Sequence, residues 1–329
     1  MSTSKFPVWL DCDPGHDDAM AIILAAHNPN LNLLGISTVS GNQSVEKTTA
    51  NAISILEASG RSDVPVFMGA KKPLIRVIKH DPEIHGESGL DGTDLLPNCN
   101  KTLYKKAESS TAINEMAKAI LESSSPVHLV ALGSLTNIAL LVTVYPQVIE
   151  NIEVFSFMGG AIGVGNRSAV AEFNILCDPE AAQIVMQAGF KHMAMVPLDV
   201  THTALVTNSV LSQIESKVGP VNKNFSIMVK ELMLFFKDSY AKTFGFNDGP
   251  PLHDPLAVYY LTNRGSFEEK LMRVDVECGN GMCAGQTVCD IWEYSTAQKN
   301  CYVTSKVDVE SFWEAMINSM ALAAKNSPL

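Results

Sequence analysis

The feature that most constrains the fold is an alternation of short apolar segments with segments of helical period. Phe6–Leu10 predicts a strand and Asp17–His27 a helix, and Leu31–Val39 and Val45–Ser59 repeat the pair. The pattern returns over 127–132, 135–144 and 152–158, then with a helix from Asp178-Pro179 and a strand over 192–197. Continuously apolar strands separated by helices form parallel sheets with both faces covered. The sequence therefore predicts an α/β fold with one large, open, mostly parallel, Rossmann-like sheet and helices on both faces.

The remainder of the chain continues without a linker. Strands are predicted near Leu271–Glu277 and Gln286–Trp292, and a helix over Val309–Lys325. Lys71–Lys106 is irregular, polar and long enough to predict a functional loop. Of the 329 residues, 46% are hydrophobic and 18% charged, which is enough apolar material for one large core. We therefore expect a single domain over residues 1–329.

The charge balance limits the classes of partner. The chain has 35 acidic and 24 basic residues, a net charge of -11 that repels phosphate backbones and anionic lipid. The N-terminus has no long apolar run, and no stretch reaches the roughly 18 apolar residues of a membrane span. The odd count of seven cysteines indicates reduced thiols. We predict a cytoplasmic protein, with access to the nucleus left open, that binds a small neutral molecule or a cation rather than nucleic acid or membrane.

Two other patterns suggest a zinc site and a dinucleotide-binding site, but neither has the residue spacing or the secondary structure that such a site requires. Cys278, Cys283, Cys289 and Cys301 cluster in sequence, yet their spacing matches no common zinc site, so we predict that they bind no metal. The glycine-rich segment 158–165 imitates a dinucleotide fingerprint, but the helix that such a fingerprint requires does not follow. NAD binding is therefore not predicted.

The most informative segment lies where the first predicted strand passes into the first helix. Asp11, Asp13, Asp17 and Asp18 fall within eight positions there. Like charges about 4 Å apart cost on the order of 4 kcal/mol at intermediate dielectric, so a buried cluster of this kind needs a cation. Oxygen ligands without nearby cysteine favour Ca²⁺ or Mg²⁺, and Ca²⁺ accepts six to eight oxygens in irregular geometry. The alternative is that one or two of these residues only cap the helix.

A strand that ends in Asp-x-Asp is also typical of phosphotransferases of the haloacid dehalogenase type, in which the first aspartate is a nucleophile. Those proteins usually continue with Gly-Thr, whereas Pro14-Gly15 follows here. No convincing downstream lysine and paired-aspartate motif accompanies it. This reading is therefore the weaker of the two.

Motifs distributed over nearly the whole chain resemble one enzyme family. The first is Asp13–Ala19, and others follow in order: Gly35–Asn42, His85–Gly89, Gly133–Ala139, Met158–Gly160, Ala171–Ile175, Asp178–Ala182, Leu198–His202 and His253–Pro255. The chain resembles the inosine–uridine nucleoside hydrolases. The resemblance implies an N-glycosyl hydrolase that cleaves ribonucleosides into ribose and free base with a calcium-bound water.

The resemblance also implies roles for individual residues around the ion. Asp13, Asp18 and Asp254 match the calcium-binding carboxylates, and the main-chain carbonyl of Leu132 matches a further ligand. Relatives often have Thr at the last position, a change of little consequence because the ligand atom belongs to the main chain. Asp13 also matches the general base, and His253 matches the group that activates the leaving base. Taken alone, His253 could instead cap the following helix.

A second set of residues is expected to contact the nucleoside. Asp17, Asn166, Glu172 and Asn174 match residues that hold the ribose hydroxyls, and Asn42 lines the same floor. His85 is expected near the 5′-hydroxyl or the base, although an exposed turn residue is the alternative. Phe173 is expected beside the base or in the core, and Asp11 is given a supporting role in the acidic cluster. Relatives commonly form homodimers or homotetramers.

Base preference is expected to depend on the loop 79–92 and on the aromatic-rich segment 235–252. The aromatic side chains of the second segment could equally pack in the core of an amphipathic helix. A histidine before Asp254, and the approach Gly249-Pro250-Pro251, resemble broad or pyrimidine-preferring members, including fungal uridine hydrolases. We predict uridine as substrate, with inosine, cytidine and nicotinamide riboside left open. The alternative function is a calcium-dependent nucleoside-binding protein without turnover.

Overall fold

The computed structural model of the chain describes residues 5–329. Its strands are β1 (Phe6–Cys12), β2 (Leu31–Thr38), β3 (Val66–Met68), β4 (Val127–Ala131), β5 (Ile152–Met158), β6 (Met193–Val196), β7 (Phe267–Met272), β8 (Val274–Val276), β9 (Thr287–Cys289) and β10 (Cys301–Val307). Its α-helices are α1 (His16–His27), α2 (Val45–Ala58), α3 (Pro82–His85), α4 (Lys101–Glu108), α5 (Ala112–Glu122), α6 (Thr136–Val144), α7 (Phe173–Cys177), α8 (Pro179–Met186), α9 (Leu198–Thr201), α10 (Asn208–Val218), α11 (Lys223–Phe244), α12 (Pro255–Asn263) and α13 (Val309–Asn326).

Eight strands form the main sheet in the order β3-β2-β1-β4-β5-β6-β10-β7. Every pairing in it is parallel except that of β10 with the edge strand β7. The predicted open, mostly parallel sheet is confirmed. Its first six strands follow the doubly wound order, in which the direction of winding changes between β1 and β4. Ligands of such sheets bind at that point, beyond the carboxyl ends of the strands.

Helices cover both faces of the sheet, as predicted. On one face, a large buried cluster joins α1, α2 and α10–α13 through residues such as Ile22, Leu256 and Met316. On the other face, Met116, Ile138 and Val185 bring α5, α6 and α8 into a second cluster. Among residues 5–329, no helix combines the length and the apolar character that crossing a membrane requires.

The sequence-based prediction is least accurate at the far edge of the sheet. A strand predicted near Leu271–Glu277 is split in the structure, because the chain leaves β7 after Met272 and pairs β8 with β9 in a small separate sheet. β10 was not predicted at all. Both β7 and β10 expose charged side chains along part of their length, so they lack the continuous apolar run by which the central strands are recognised.

Candidate active site

The fold brings residues from three distant segments together at the point where the winding changes. Asp13 directly follows β1, and Leu132 directly follows β4, where its amide donates to the carbonyl of Asp11 at 2.8 Å. Asp17 and Asp18 lie in the first turn of α1, and Asp254 immediately precedes α12. The positive ends of two helices therefore point at one small region, which favours negative charge there.

The acidic residues form a compact buried cluster. Asp17, Asp18 and Asp254 each place one carboxylate oxygen within 4.8 Å of the others. Asp18 accepts hydrogen bonds from the amides of Asp13 at 3.1 Å and Gly15 at 3.0 Å, which connects Asp13 to the same group. Asp17 is 6% exposed, and Asp13, Asp18 and Asp254 are at most 2% exposed. None of these four forms a salt bridge with Lys, Arg or His within residues 5–329.

Such a cluster is unfavourable unless a cation is added. Burial raises the pKa of Asp13, Asp17, Asp18 and Asp254, and for Asp13, Asp17 and Asp254 the neighbouring carboxylates raise it further. Oδ1 of Asp13 and Oδ1 of Asp254 are buried without any hydrogen-bond partner in the described chain. Unpaired buried carboxylate oxygens are costly, whereas a hard divalent cation would satisfy them. The donor set therefore fits a calcium-type ion.

The backbone around Asp13 is shaped to receive its carboxylate. A Cβ atom added at Gly41 would lie 2.0 Å from Oδ2 of Asp13, and one at Gly133 would lie 2.4 Å from Oδ1. The amide of Asn42 donates to Oδ2 of Asp13 at 2.7 Å, and the Asn42 side chain donates to Oδ2 of Asp18 at 3.1 Å. Two glycines and one asparagine thus fix the orientation of the acidic cluster.

Asp11 lies behind the cluster rather than in the cavity. Its carboxylate accepts hydrogen bonds from Ser37 and, at 2.7 Å, from Nδ2 of Asn137. Burial raises the pKa of Asp11 to about 7. Asn137 also accepts from the amide of Ala70 at 2.8 Å, so Asp11 helps to hold the loop that follows β3. This position is consistent with the supporting role predicted for it.

One wall of the site is formed by residues 166–174, the segment that leads into α7. Nδ2 of Asn174 donates to the carbonyl of Leu132 at 2.7 Å, which ties this wall to the acidic cluster. Glu172 caps α7 by accepting from the amides of Asn174 at 2.9 Å and Ile175 at 3.2 Å. Burial raises the pKa of Glu172 to about 7. Oδ1 of Asn166 accepts from the amide of Phe173 at 2.9 Å, and its Nδ2 has no partner in the described residues.

These residues line a pocket with about 410 Å³ of empty space, part of it open to solvent. Ten of the residues predicted from the sequence line it: Asp17, Asn42, His85, Leu132, Asn166, Glu172, Phe173, Asn174, His253 and Asp254. Asp13 and Asp18 lie directly beneath its floor. Residues that line the cavity without having been assigned a role are Asp81, Ile84, Met158, Tyr240 and Phe244. Asp81 and Ile84 fall within the predicted base-side loop 79–92, Tyr240 and Phe244 within the aromatic-rich segment 235–252, and Met158 within a family motif, but none of them was singled out as a site residue.

His253 forms a polar chain with Thr201 and Tyr240, and His253 and Tyr240 line the cavity. Nδ1 lies 2.7 Å from Oγ1 of Thr201, and Nε2 lies 2.7 Å from the hydroxyl of Tyr240. Burial lowers the pKa of His253 and raises that of Tyr240, so both groups are uncharged near neutral pH. An imidazole hydrogen-bonded to a phenol at a cavity wall can donate a proton to a bound ligand. Capping of α12 is not its role, since neither ring nitrogen contacts that helix.

His85 is the last residue of α3, and its buried side chain lines the cavity. It is 5% exposed, so the alternative of an exposed turn residue is wrong. Its Nδ1 accepts from the amide of His16 at 3.2 Å, and its ring stacks on those of His16 and Phe236, with centroids 5.4 and 5.5 Å away. These contacts hold the His85 side chain in the cavity wall.

Comparison with known proteins agrees with the geometry. The family model described as inosine-uridine preferring nucleoside hydrolase matches residues 8–314. A probable ribonucleoside hydrolase of Dictyostelium discoideum is 46% identical over an alignment of 331 positions, gaps included. The alignment covers 97% of this chain and 96% of that protein. The pyrimidine-specific ribonucleoside hydrolase RihA of Shewanella sp. strain MR-4 is 39% identical over 317 residues, 96% of each chain.

Among solved structures, the purine-preferring ribonucleoside hydrolase from Gardnerella vaginalis superimposes with a TM-score of 0.88. Its sequence is 27% identical, and the match covers 97% of this chain and 99% of that one. The similarity thus extends over whole chains in both sequence and fold. This chain belongs to the inosine-uridine preferring nucleoside hydrolase family.

Proposed function

We propose that this protein hydrolyses the N-glycosidic bond of ribonucleosides to ribose and free base, with uridine as the preferred substrate. The observation that carries the proposal is one cavity with a buried acidic cluster at its floor and the His253–Tyr240 pair at its wall. A cluster that fits a divalent cation and a neutral proton donor are what cleavage of this bond requires. Family resemblance extends the proposal to a cytoplasmic homodimer or homotetramer that acts in nucleoside salvage.

Calcium is the proposed cofactor. Asp13, Asp18 and Asp254 would hold it together with the main-chain carbonyl of Leu132, and Asp17 lies within the same group of oxygens. When bound, the ion supplies Lewis-acid chemistry, because it polarises the oxygen atoms that it contacts. The orphaned oxygens of Asp13 and Asp254 are the observation that supports this assignment.

The protein's own residues then orient and activate the reactants. Asp17, Glu172, Asn166 and Asn174 would hold the ribose hydroxyls above the acidic floor, and Asn42 completes that floor. Positive charge develops on the sugar ring as the bond breaks, and the surrounding carboxylates stabilise it. Asp13 would also accept the proton of the attacking water, because each carboxylate oxygen has more than one lone pair and a carboxylate that binds the ion can still accept from a neighbouring water.

The departing base needs a proton or a hydrogen bond, since it leaves poorly as an anion. The hydroxyl of Tyr240 and Nε2 of His253 share a hydrogen bond of 2.7 Å, and Thr201 holds the other side of the imidazole. The proton that the base gains would come from this pair. The pair is restored when the proton taken up at Asp13 returns to it through solvent.

The preference for pyrimidines rests on sequence similarity to relatives and on the polar side chains of His253 and Tyr240. These two side chains form the part of the cavity that would face the departing base, here called the leaving-group wall. Relatives that are 39–40% identical are described as pyrimidine-specific, whereas the purine-preferring structure is 27% identical. When Nε2 of His253 donates to the Tyr240 hydroxyl, that hydroxyl is left as the donor that suits a carbonyl oxygen of a pyrimidine. We place uridine first, followed by cytidine, with inosine and nicotinamide riboside as weaker substrates.

An assay of reducing-sugar release with the calcium-loaded protein tests the proposal. Ribose is expected to appear together with free base, and kcat/KM for uridine is expected to exceed that for inosine by about tenfold or more, a difference of roughly 1.4 kcal/mol in transition-state binding. Calorimetric binding of uridine without any ribose release would instead establish the second candidate, a calcium-dependent nucleoside-binding protein.

A further inference from the structure

Arg167 and Asp81 form a charged pair beside the cavity, and neither residue has a role in the reaction proposed above. Arg167 donates to both carboxylate oxygens of Asp81, with Nε 3.2 Å from Oδ2 and Nη2 in closer contact. The guanidinium carbon also lies 5.0 Å from the ring centroid of Phe244. The two charged side chains are only 19% and 12% exposed. The pair is therefore a fixed, partly buried contact and not a mobile surface ion pair.

The Arg167–Asp81 pair lies next to the cavity that would hold the nucleoside. Asp81 and Phe244 line the cavity, and Arg167 is the chain neighbour of Asn166, whose unpartnered amide lines it too. The amide of Asp81 donates to the carbonyl of Asn42 at 3.0 Å. The Phe244 ring lies 5.1 Å from the ring of Tyr240, so the pair adjoins the leaving-group wall.

The stereochemistry of a β-ribonucleoside assigns one of its ends to this region. The 2′- and 3′-hydroxyls project from one face of the sugar, whereas the base and the 5′-carbon project from the other. With the hydroxyls on the acidic floor, the base and the 5′-carbon both point towards the mouth. In the proposed function the base meets Tyr240 and His253, so the 5′-carbon would be directed at the neighbouring pair of Asp81 and Arg167.

From this geometry, and resting on the proposed function, we propose that Asp81 is a specificity-determining residue that occupies Arg167 and so excludes nucleoside 5′-phosphates. A free arginine at this point would present a planar set of donors, which binds phosphate in bidentate fashion. Asp81 takes up those donors. It also adds to the negative charge of a cavity already lined by Asp17, Glu172 and Asp254.

Comparison of uridine with uridine 5′-monophosphate as substrates of the calcium-loaded protein tests the proposal. The Asp81→Ala variant is expected to increase the ratio of kcat/KM for the monophosphate to kcat/KM for uridine by about ten- to hundredfold, the gain of one charge-assisted contact. Release of uracil is measured for both substrates. The Asp81 side chain makes no capping hydrogen bond to α3, so its removal leaves that helix its backbone contacts.

Matched variants separate the charge effect from an effect of space. The double variant Asp81→Ala/Arg167→Gln is expected to keep the wild-type ratio, because it has neither charge. Arg167→Gln alone is expected to keep or lower the ratio, because it has no arginine to bind phosphate and leaves the Asp81 carboxylate unpaired. An unchanged ratio in Asp81→Ala, or an equal rise in the double variant, would overturn the proposal. If Asp81→Ala does not fold, as judged by thermal unfolding, Asp81→Asn is measured in its place under the same criteria.

Failure of this inference can be told from failure of the proposed function. If the wild-type protein cleaves uridine but Asp81→Ala gains nothing on the monophosphate, only the role of Asp81 is wrong. If the wild-type protein releases no ribose, calorimetric binding of the two compounds to the same four proteins replaces the assay. Tighter binding of the monophosphate by Asp81→Ala alone is then the expected result, and equal affinities would refute it.

Discussion

Replacement of Asp13 by Asn is expected to lower kcat for uridine by roughly 10²- to 10⁴-fold, the contribution of a general base. The amide keeps the size of the carboxylate and can still accept from the amide of Asn42, which lies 2.7 Å from Oδ2 of Asp13. It cannot take a proton from water. The variant protein is expected to stay folded, because one fewer buried negative charge relieves repulsion with Asp18.

The control for this experiment is Asp238→Asn, since Asp238 lies on an exposed face of α11 away from the cluster. Initial rates, calcium affinity and thermal unfolding are measured for both variants. The control is expected to match the wild-type protein in all three. Retention of full turnover by Asp13→Asn at saturating calcium would remove Asp13 from the role of base.

The second large effect is expected at the leaving-group wall. His253→Ala and Tyr240→Phe should each lower kcat for uridine by about 10²-fold or more, while KM changes little, because they donate a proton only as the bond breaks. The two groups share one hydrogen bond. The double variant is therefore expected to lose much less than the product of the two single losses.

A substrate with an activated leaving group distinguishes this role from a structural one. In 4-nitrophenyl riboside the leaving group is 4-nitrophenolate, which departs as an anion without being protonated. Both variants should therefore cleave this substrate at close to the wild-type rate. Tyr294→Phe, at a tyrosine that is 87% exposed, is the matched control and should behave as wild type on both substrates. Equal losses on uridine and on the nitrophenyl riboside would show that His253 and Tyr240 only maintain the shape of the cavity.

The sequence predicts the central strands of the main sheet better than the strands at its edges. Strands β1, β2, β4, β5 and β6 were predicted because they are mostly buried and continuously apolar, whereas the three-residue edge strand β3 was not predicted. Asp13 and Asp18 were identifiable because four carboxylates at one turn require a compensating charge. Asp254, more than 230 positions further on, was assigned only through family resemblance, although the structure places it in the same cluster.

Other features depend on tertiary packing that a single sequence does not reveal. Tyr240 could equally have packed in the core, and only the fold of α11 across the cavity brings its hydroxyl to His253. Asp81 and Arg167 are 86 positions apart and carry no local signal of pairing. Strands β7 and β10 lack a distinctive pattern because each has two exposed residues that interrupt its apolar run.

The proposed hydrolytic mechanism depends above all on a divalent cation held by the acidic cluster. Calorimetric titration of calcium into chelator-treated protein tests for this cation most directly. Binding of one ion per chain is expected, with uridine hydrolysis lost on chelation and restored in proportion to the occupied sites. Asp254→Asn should weaken this binding, because it removes one of the three convergent carboxylates. Undiminished hydrolysis by protein shown to be free of divalent metal would contradict the account.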